Sequence, residues 1–412
     1  MRERKHRARL DGKEVVTAGH YTSLRLPCPS LIFTRVAGTN QLPLLVSETC
    51  LGHCCPMMRI FQFLLCLTAL PASAAADTTF YPAPSGKTDA PVLVVYSSLD
   101  EPLAKPMIAG FQAVNPDIAV RYEDMLTGEV YDRIVKETDA GQKTADFAFS
   151  SAMDLQVKLA NDGYAQPSDL PMSEQWPSWA NWRNTAYALT FEPAVFVYHK
   201  PSFRDEPPPA TRAEFVDYLR KKGDAVYGRI GTYDIERSGV GFLFMARDQE
   251  QFGDIWSVIQ AMGAAGVKLY STSQAIVERV ADGRFVLGYN ILGSYAADWA
   301  SRHPDVGIVL PKDYTVVMSR IGLVPHAAAS PELGKRYLEF FMSKGGQTIM
   351  ARELQIPAVS PEVAGNNTAT TLREMLGGQL KPVPVSLGLM VYLDQVKRAR
   401  LIDRWNEVLR LQ

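Results

Sequence analysis

The strongest constraint in the sequence is an alternation, met twice, of short β-branched apolar runs with segments of helical period. Val92-Leu93-Val94-Val95-Tyr96 is the run expected of a strand buried on both faces, and it ends in Ser97-Ser98. Leu103, Met107, Ile108 and Phe111 then share one helix face, up to a stop at Asn115-Pro116. The spacing next predicts a strand over 118–122, a helix over 129–140, a strand over 146–149 and a helix over 155–161 with Gly163 as its stop. Strand following helix in this way implies an α/β lobe with a mostly parallel sheet over 92–193. Residues 77–91, rich in Pro, Ser, Thr and Asp, are expected to form a mobile leader.

A second series begins at Ala194-Val195-Phe196-Val197-Tyr198, after a stretch holding Trp176, Trp179 and Trp182. It runs through a helix at 212–221, a strand at 229–231, a glycine loop, helices at 243–247, 254–262 and 273–282, and a strand at 285–289. That is a second α/β lobe, 194–310. Residues 311–412 add a returning strand at 315–324, an amphipathic helix at 331–342 and further helices broken by prolines, shared between the lobes.

All five cysteines precede residue 67 (Cys28, Cys50, Cys54, Cys55, Cys66), so the folded part needs no disulfide and offers no thiolate to a metal. His53 beside Cys54 and Cys55 lacks the second spaced ligand pair of a zinc site. Met57-Met58-Arg59, an apolar run from Ile60 to Leu70, and Ala-x-Ala spacing before Asp77 make 57–76 a signal peptide, too short for a comfortable membrane span. Cys66 lacks the small preceding residue of a lipidation site. Residues 1–56 are then an upstream extension, mis-assigned or unstructured, and the true start is Met57 or Met58. Beyond residue 74 stand 34 basic and 40 acidic groups, a net charge of −6. Such a chain has no electrostatic footprint for nucleic acid.

In open α/β sheets ligands gather beyond the carboxyl ends of strands. Ser97 and Ser98 follow one strand and Ser150 and Ser151 another, offering hydroxyls and backbone N–H groups near helix starts; such serines serve equally as N-caps. The loop Tyr233–Gly241 leads into the apolar helix Phe242-Leu243-Phe244-Met245. Ser238 and Gly239 let the backbone approach an anion, and Arg237 can fork onto it or pair with Asp234 or Glu236 on the surface. The loop is neither a P-loop nor a dinucleotide fingerprint. Tyr289 and Tyr295 flank another strand end and either line the cleft or pack inside the lobe. Gly-x-Ser-x-Gly and His-Glu-x-x-His are absent, the histidines beyond the signal peptide (His199, His303, His326) are scattered, and Glu123-Asp124 looks like a solvated strand end. No catalytic residue, metal site or cofactor is expected.

The order of these pieces resembles the periplasmic solute-binding proteins of ABC importers, in the branch of ferric, phosphonate and small-organic-anion binders. The resemblance rests on Val94–Ser98, Thr144–Ser150, the crossover-like strand Pro193–Lys200, the loop around Ser238-Gly239, and Ala328–Gln347 with its Phe340-Phe341-Met342-Ser343-Lys344-Gly345-Gly346-Gln347. It implies a type II two-lobed fold with a hinge of crossover strands, closing on a solute in the periplasm of a Gram-negative bacterium. It also implies permease subunits in the inner membrane as partners, or a sensor histidine kinase in the alternative, and no enzymatic activity; a secreted α/β enzyme is the remote alternative. A monomer is expected. Ferric binders of the family use adjacent tyrosines, whereas Ser294-Tyr295-Ala296-Ala297 has one, so a small anionic solute (organic acid, phosphonate or phosphate ester) is expected on Ser97, Ser98, Ser150, Ser151, Arg237, Ser238, Gly239, Tyr289 and Tyr295, with Fe(III) as the alternative.

Overall fold

The computed structural model describes residues 77–410. The expected extension and signal peptide, and every cysteine, lie outside the described residues. Two seven-stranded sheets, each flanked by helices, form the two lobes. The first has β2 (Val92–Ser97) at its heart, in parallel register with β3 (Ala119–Asp124) and β4 (Phe147–Ser150). Between these strands run α1 (Glu101–Val114), α2 (Thr127–Asp139) and α3 (Met153–Asn161). β-branched residues dominate β2 because both of its faces are covered: Leu93 and Val95 are fully buried, and Tyr96 packs on the other side with Val130 and Ile134 of α2.

Residues 77–91 do not begin as a mobile leader. Asp77–Tyr81 is β1, an edge strand antiparallel to β3, with Asp77 opposite Asp124 and Tyr81 opposite Val120. The Thr-Thr-Phe-Tyr that ends it has strand propensity enough to pair once an open edge is offered, and the Tyr81 hydroxyl donates to Glu101.

The chain crosses to the second lobe after β5 (Asn181–Trp182) and β6 (Ala186–Ala188), entering β7 (Glu192–His199). There β8 (Ile230–Tyr233), β9 (Lys268–Tyr270) and β10 (Leu287–Leu292) lie parallel, with β10 and β11 (Val306–Val309) antiparallel to β7. The helices are α4 (Arg212–Lys222), α5 (Gly239–Gln251), α6 (Ile255–Ala264), α7 (Ser273–Ala281) and α8 (Gly293–Arg302). The glycine-led helix thus starts four residues before the expected 243, directly at the loop. The strand expected over 285–289 is found at 287–292; within it Asn290 sits in the left-handed region (φ 57°), where the register against β7 shifts.

The single return strand expected over 315–324 is two strands. β12 (Thr315–Met318) pairs β7 in the second sheet and β13 (Ile321–Leu323) pairs β4 and β6 in the first. Ser319 and Arg320 are the crossing between them, and Arg320 O accepts from Leu189 N (3.0 Å) on the outward crossing. Both sheets are mixed rather than mostly parallel: β13 returns antiparallel to β4 and β7 runs antiparallel to β10, while β1 and β11 add antiparallel pairings of their own. The chain then revisits both lobes. α9 (Pro331–Met342) lies under β4, α10 (Lys344–Arg352) against α1, and α11 (Ala369–Leu376) leads to β14 (Leu380–Pro382) beside β12. α9 presses so closely that a Cβ on Gly334 would meet Asp146 O at 1.9 Å. Its Tyr337 meets Phe147 and Phe341 edge-on at 5.2 and 4.9 Å between centroids, and Phe341 lies tilted on Phe147 at 5.5 Å, contacts worth about 0.5–1.5 kcal/mol each beyond their area. Last comes α12 (Gln395–Arg410) on the second lobe.

Candidate functional site

The parallel strands of both lobes point their carboxyl ends at a common cleft of about 350 Å³. Six helices begin at its walls: α1, α2 and α3 from the first lobe, α5, α7 and α8 from the second. Each brings first-turn N–H groups that lack partners within the helix and the positive end of its dipole, so the backbone alone makes the cleft favour negative charge and hydrogen-bond acceptors.

The side chains divide this environment. On the first-lobe wall stand Asp100, Asp124 and Glu129, with Asp77 of the edge strand at the rim. Asp124 has its carboxyl pushed up to about 6, by burial first and then by Asp100 and Asp77, against the pull of the Glu101 N–H that it accepts (3.0 Å). Burial likewise raises Asp100, although the Tyr295 hydroxyl and Arg320 hold it back. The second-lobe wall carries Arg237, Ser238, Thr272 and Ser273 and no carboxylate among its lining residues. Ser238 caps α5 by accepting from Gly241 N (3.2 Å), and Thr272 caps α7 by accepting from Ala275 N (3.3 Å).

At the back of the cleft the two crossings meet in a buried cluster. Arg320 and Glu192, both fully buried, lie 3.1 Å apart, Nε to Oε1, out of line for a hydrogen bond. Glu192 accepts from Thr190 Oγ1 (2.8 Å) and from Ser294 at the head of α8. Arg320 donates to Ser98 O (3.1 Å) in the first lobe. One pair therefore touches the hinge and both walls. Burial pulls the Arg320 pKa down, and Glu192, Tyr295, Asp100 and Tyr122 together more than offset it.

Of the residues singled out in the sequence, Ser98, Ser151, Arg237, Ser238 and Tyr295 line the cleft. Ser98 and Ser151 are joined, Ser151 N donating to Ser98 Oγ (3.0 Å). Ser97 and Ser150 do not line it: both are buried, Ser97 Oγ accepting from Leu99 N (3.1 Å) and Ser150 Oγ from Ala152 N (3.3 Å), so they brace the two strand ends. Gly239 faces the opposite lobe, its N–H donating to Thr127 Oγ1 (3.3 Å) and its α-carbon opposite Ala152. Tyr289 is a core residue stacked on Phe215; its hydroxyl donates to Asp248 (2.8 Å) and accepts from Arg212 (3.0 Å). Arg237 is exposed, its side chain 81% accessible, with Asp234 at 3.8 Å.

Sequence reasoning missed the acidic wall. Asp124 ends β3 as Ser97 ends β2, so the strand-end rule pointed at it, but the charge of Glu123-Asp124 was read as solvated; Glu123 is buried with Arg133 and Arg121 instead. Thr272 and Ser273 follow β9, a strand too short and too exposed to show in the pattern.

Two α/β lobes joined by crossing strands around a polar cleft define the class of two-lobed solute-binding proteins. The particular family follows from comparison: residues 106–375 match the model for bacterial extracellular solute-binding proteins, and the chain belongs to that family. A crystal structure of the substrate binding protein of an ABC transporter from Agrobacterium tumefaciens is 83% identical, covering 82% of this chain and 100% of its own, with a TM-score of 0.80. Iron-bound HitA from Pseudomonas aeruginosa is similar in fold at 14% identity (77% and 99% covered, TM-score 0.62). So is AfuA from Actinobacillus pleuropneumoniae with fructose-6-phosphate bound, at 16% identity (78% and 99% covered, TM-score 0.61). No curated protein matches the chain significantly.

Proposed function

We propose that the protein binds a small bipolar solute in the periplasm and delivers it to the permease of an ABC importer. The solute carries an anionic group, a carboxylate, phosphonate or phosphate ester, and at its other end an ammonium or hydroxyl donors. The observation that carries this reading is the division of the cleft: Arg237 and Ser238 on one wall, Asp100, Asp124 and Glu129 on the other, with helix starts on both. A purely anionic solute would meet the carboxylates unfavourably, while a purely cationic one would face six helix N-termini. The expected anion is thereby kept and given a second, oppositely polarised end.

Binding stabilises the arrangement in which both walls touch the solute, and the crossings at 189–191 and 319–320 bend to reach it. The Agrobacterium relative, at 83% identity, supports the importer role over sensing. Fe(III) is less well served: Tyr295, the one tyrosine lining the cleft, has its pKa raised by burial and bonds Asp100, and among the described residues no three His, Cys, Asp or Glu side chains are grouped to hold a metal.

Calorimetry with an aminoalkylphosphonate, the same alkylphosphonate without its amine, and the matching amino alcohol without phosphonate tests the division directly, with a sugar phosphate as the hydroxyl-bearing member. Tight binding is expected only for molecules holding both ends. Equal or tighter binding of the des-amino phosphonate refutes the bipolar reading.

A further inference from the structure

The C-terminal segment does more than complete the second lobe. Leu387–Leu393 runs along α3 of the first lobe, with Leu389 fully buried; α12 then packs on α6 of the second. The helices meet so closely that a Cβ on Gly263 would stand 2.8 Å from Leu409 O. Leu401 and Trp405 bury themselves among Phe242, Val258 and Ile259. The segment is therefore a strap anchored on both lobes.

One stripe of α12 reaches the cleft loop from behind. Arg398 donates to Glu236 O (3.3 Å), Asn406 Nδ2 donates to the Glu236 carboxylate, and Trp405 shares a small space with Ile235. Spacings of seven and eight residues place these three on the same helix face. Glu236 immediately precedes Arg237 and Ser238, which line the cleft. The Arg398 guanidinium lies 4.3 Å over the Phe242 ring of α5. It also acts on the carboxylate of Asp154, a buried residue in the first turn of α3, together with Arg247 of α5. The field of Arg398 thus reaches a first-lobe carboxylate while its guanidinium bonds a second-lobe loop.

We propose that α12 is a positioning element of the solute site: Arg398 and Asn406 hold Glu236, and through it set the backbone that presents Arg237 and Ser238 to the cleft, while the strap ties that loop to the first lobe. Neither residue touches the solute. The strap holds the 235–238 stretch from the α12 side, where the loop's own bonds do not reach: Arg237 and Ser238 N–H turn back to Asp234 O, Asp234 N–H goes to Tyr270 O and Gly239 N–H to Thr127 Oγ1.

Hydrogen exchange in the solute-free full chain reads this directly and is independent of which solute is bound. Arg398→Ala and Asn406→Ala are expected to speed exchange of the amides of 235–241 by about tenfold or more, while amides of β2 and β10 keep their rates and the Tm changes little. Arg398→Lys, which keeps a donor, restores most of the protection. Unchanged exchange at 235–241 in both alanine variants overturns the proposal, as does acceleration spread evenly over the second lobe. Asn406→Ala removes only an exposed contact, so it decides the matter if Arg398→Ala fails to fold.

Discussion

A methyl group added at Gly239 should oppose closure of the cleft without disturbing either lobe. The added Cβ would stand 2.9 Å from Thr127 Oγ1 and 3.0 Å from Ala152 Cβ, and both neighbours belong to the opposite lobe. Neither is the far end of a flexible chain, so the strain falls on the contact between lobes. Overpacking of this kind takes about 1–3 kcal/mol, whereas alanine at a helix start returns at most about 1 kcal/mol over glycine, so the clash wins. Because the clash exists only where the lobes touch, it lowers the ratio of closed to open molecules by roughly 5- to 150-fold, and weakens solute binding by the same factor wherever closure is the binding-competent state. Small-angle scattering should show Gly239→Ala to be more extended than the parent under identical solute, with calorimetry reporting the weaker affinity and the Tm of the unliganded protein nearly unchanged. Thr127→Ala in the same chain removes the nearest atom and should recover part of the loss, a coupling seen only between sites in contact. Unchanged affinity and scattering for Gly239→Ala would refute the argument that these lobes close through this point.

Two further outcomes follow from buried charge. Asp154 is held up at about 6, burial outweighing the Leu155 N–H and the fields of Arg398 and Arg247, so the folded protein binds more protons than the unfolded chain between about pH 4 and pH 6, and stability is lost as pH rises through that window. Asp154→Asn should raise stability at pH 7.5 by ~1–3 kcal/mol and change nothing near pH 4; denaturant melts at both pH values check it, and an equal effect at both refutes it. In the second lobe Arg212, fully buried, donates to Asp248 (3.1 Å), Tyr289 (3.0 Å) and Tyr314 O (2.9 Å). Arg212→Met leaves the Asp248 carboxylate buried without its cation and should destabilise by about 3–5 kcal/mol, partly recovered by Asp248→Asn in the same chain; a loss under about 1 kcal/mol in a urea melt would show the pair to be dispensable.

The extent to which the sequence revealed the site depended on local signals. Ser98, Ser151 and Ser238 were found because each follows a strand and precedes a helix, and chain order carries that relation. Ser97 and Ser150 share the same signal, yet strand alternation turns them inward, a distinction decided by the pleat and by which sheet face is covered. For Tyr289 the sequence leaves cleft and core equally open, and the core wins because its hydroxyl donates to Asp248, from a helix over forty residues earlier. Arg320 carried no local mark: its partners Glu192 and Ser98 lie far away in sequence and meet it only where two crossings run side by side.

By itself the chain determined its alternation of strand and helix in two α/β lobes and its class, because hydrophobic period and turn chemistry act between near neighbours. Tertiary structure alone decided that Asp77 belongs to an edge strand, that one apolar run is shared between two sheets at Ser319 and Arg320, that four carboxylates line the cleft, and that the C-terminal helix reaches the loop of Arg237. Each of those depends on residues distant in sequence being brought into register, and the free energy of such contacts is absent from any local stretch of the chain.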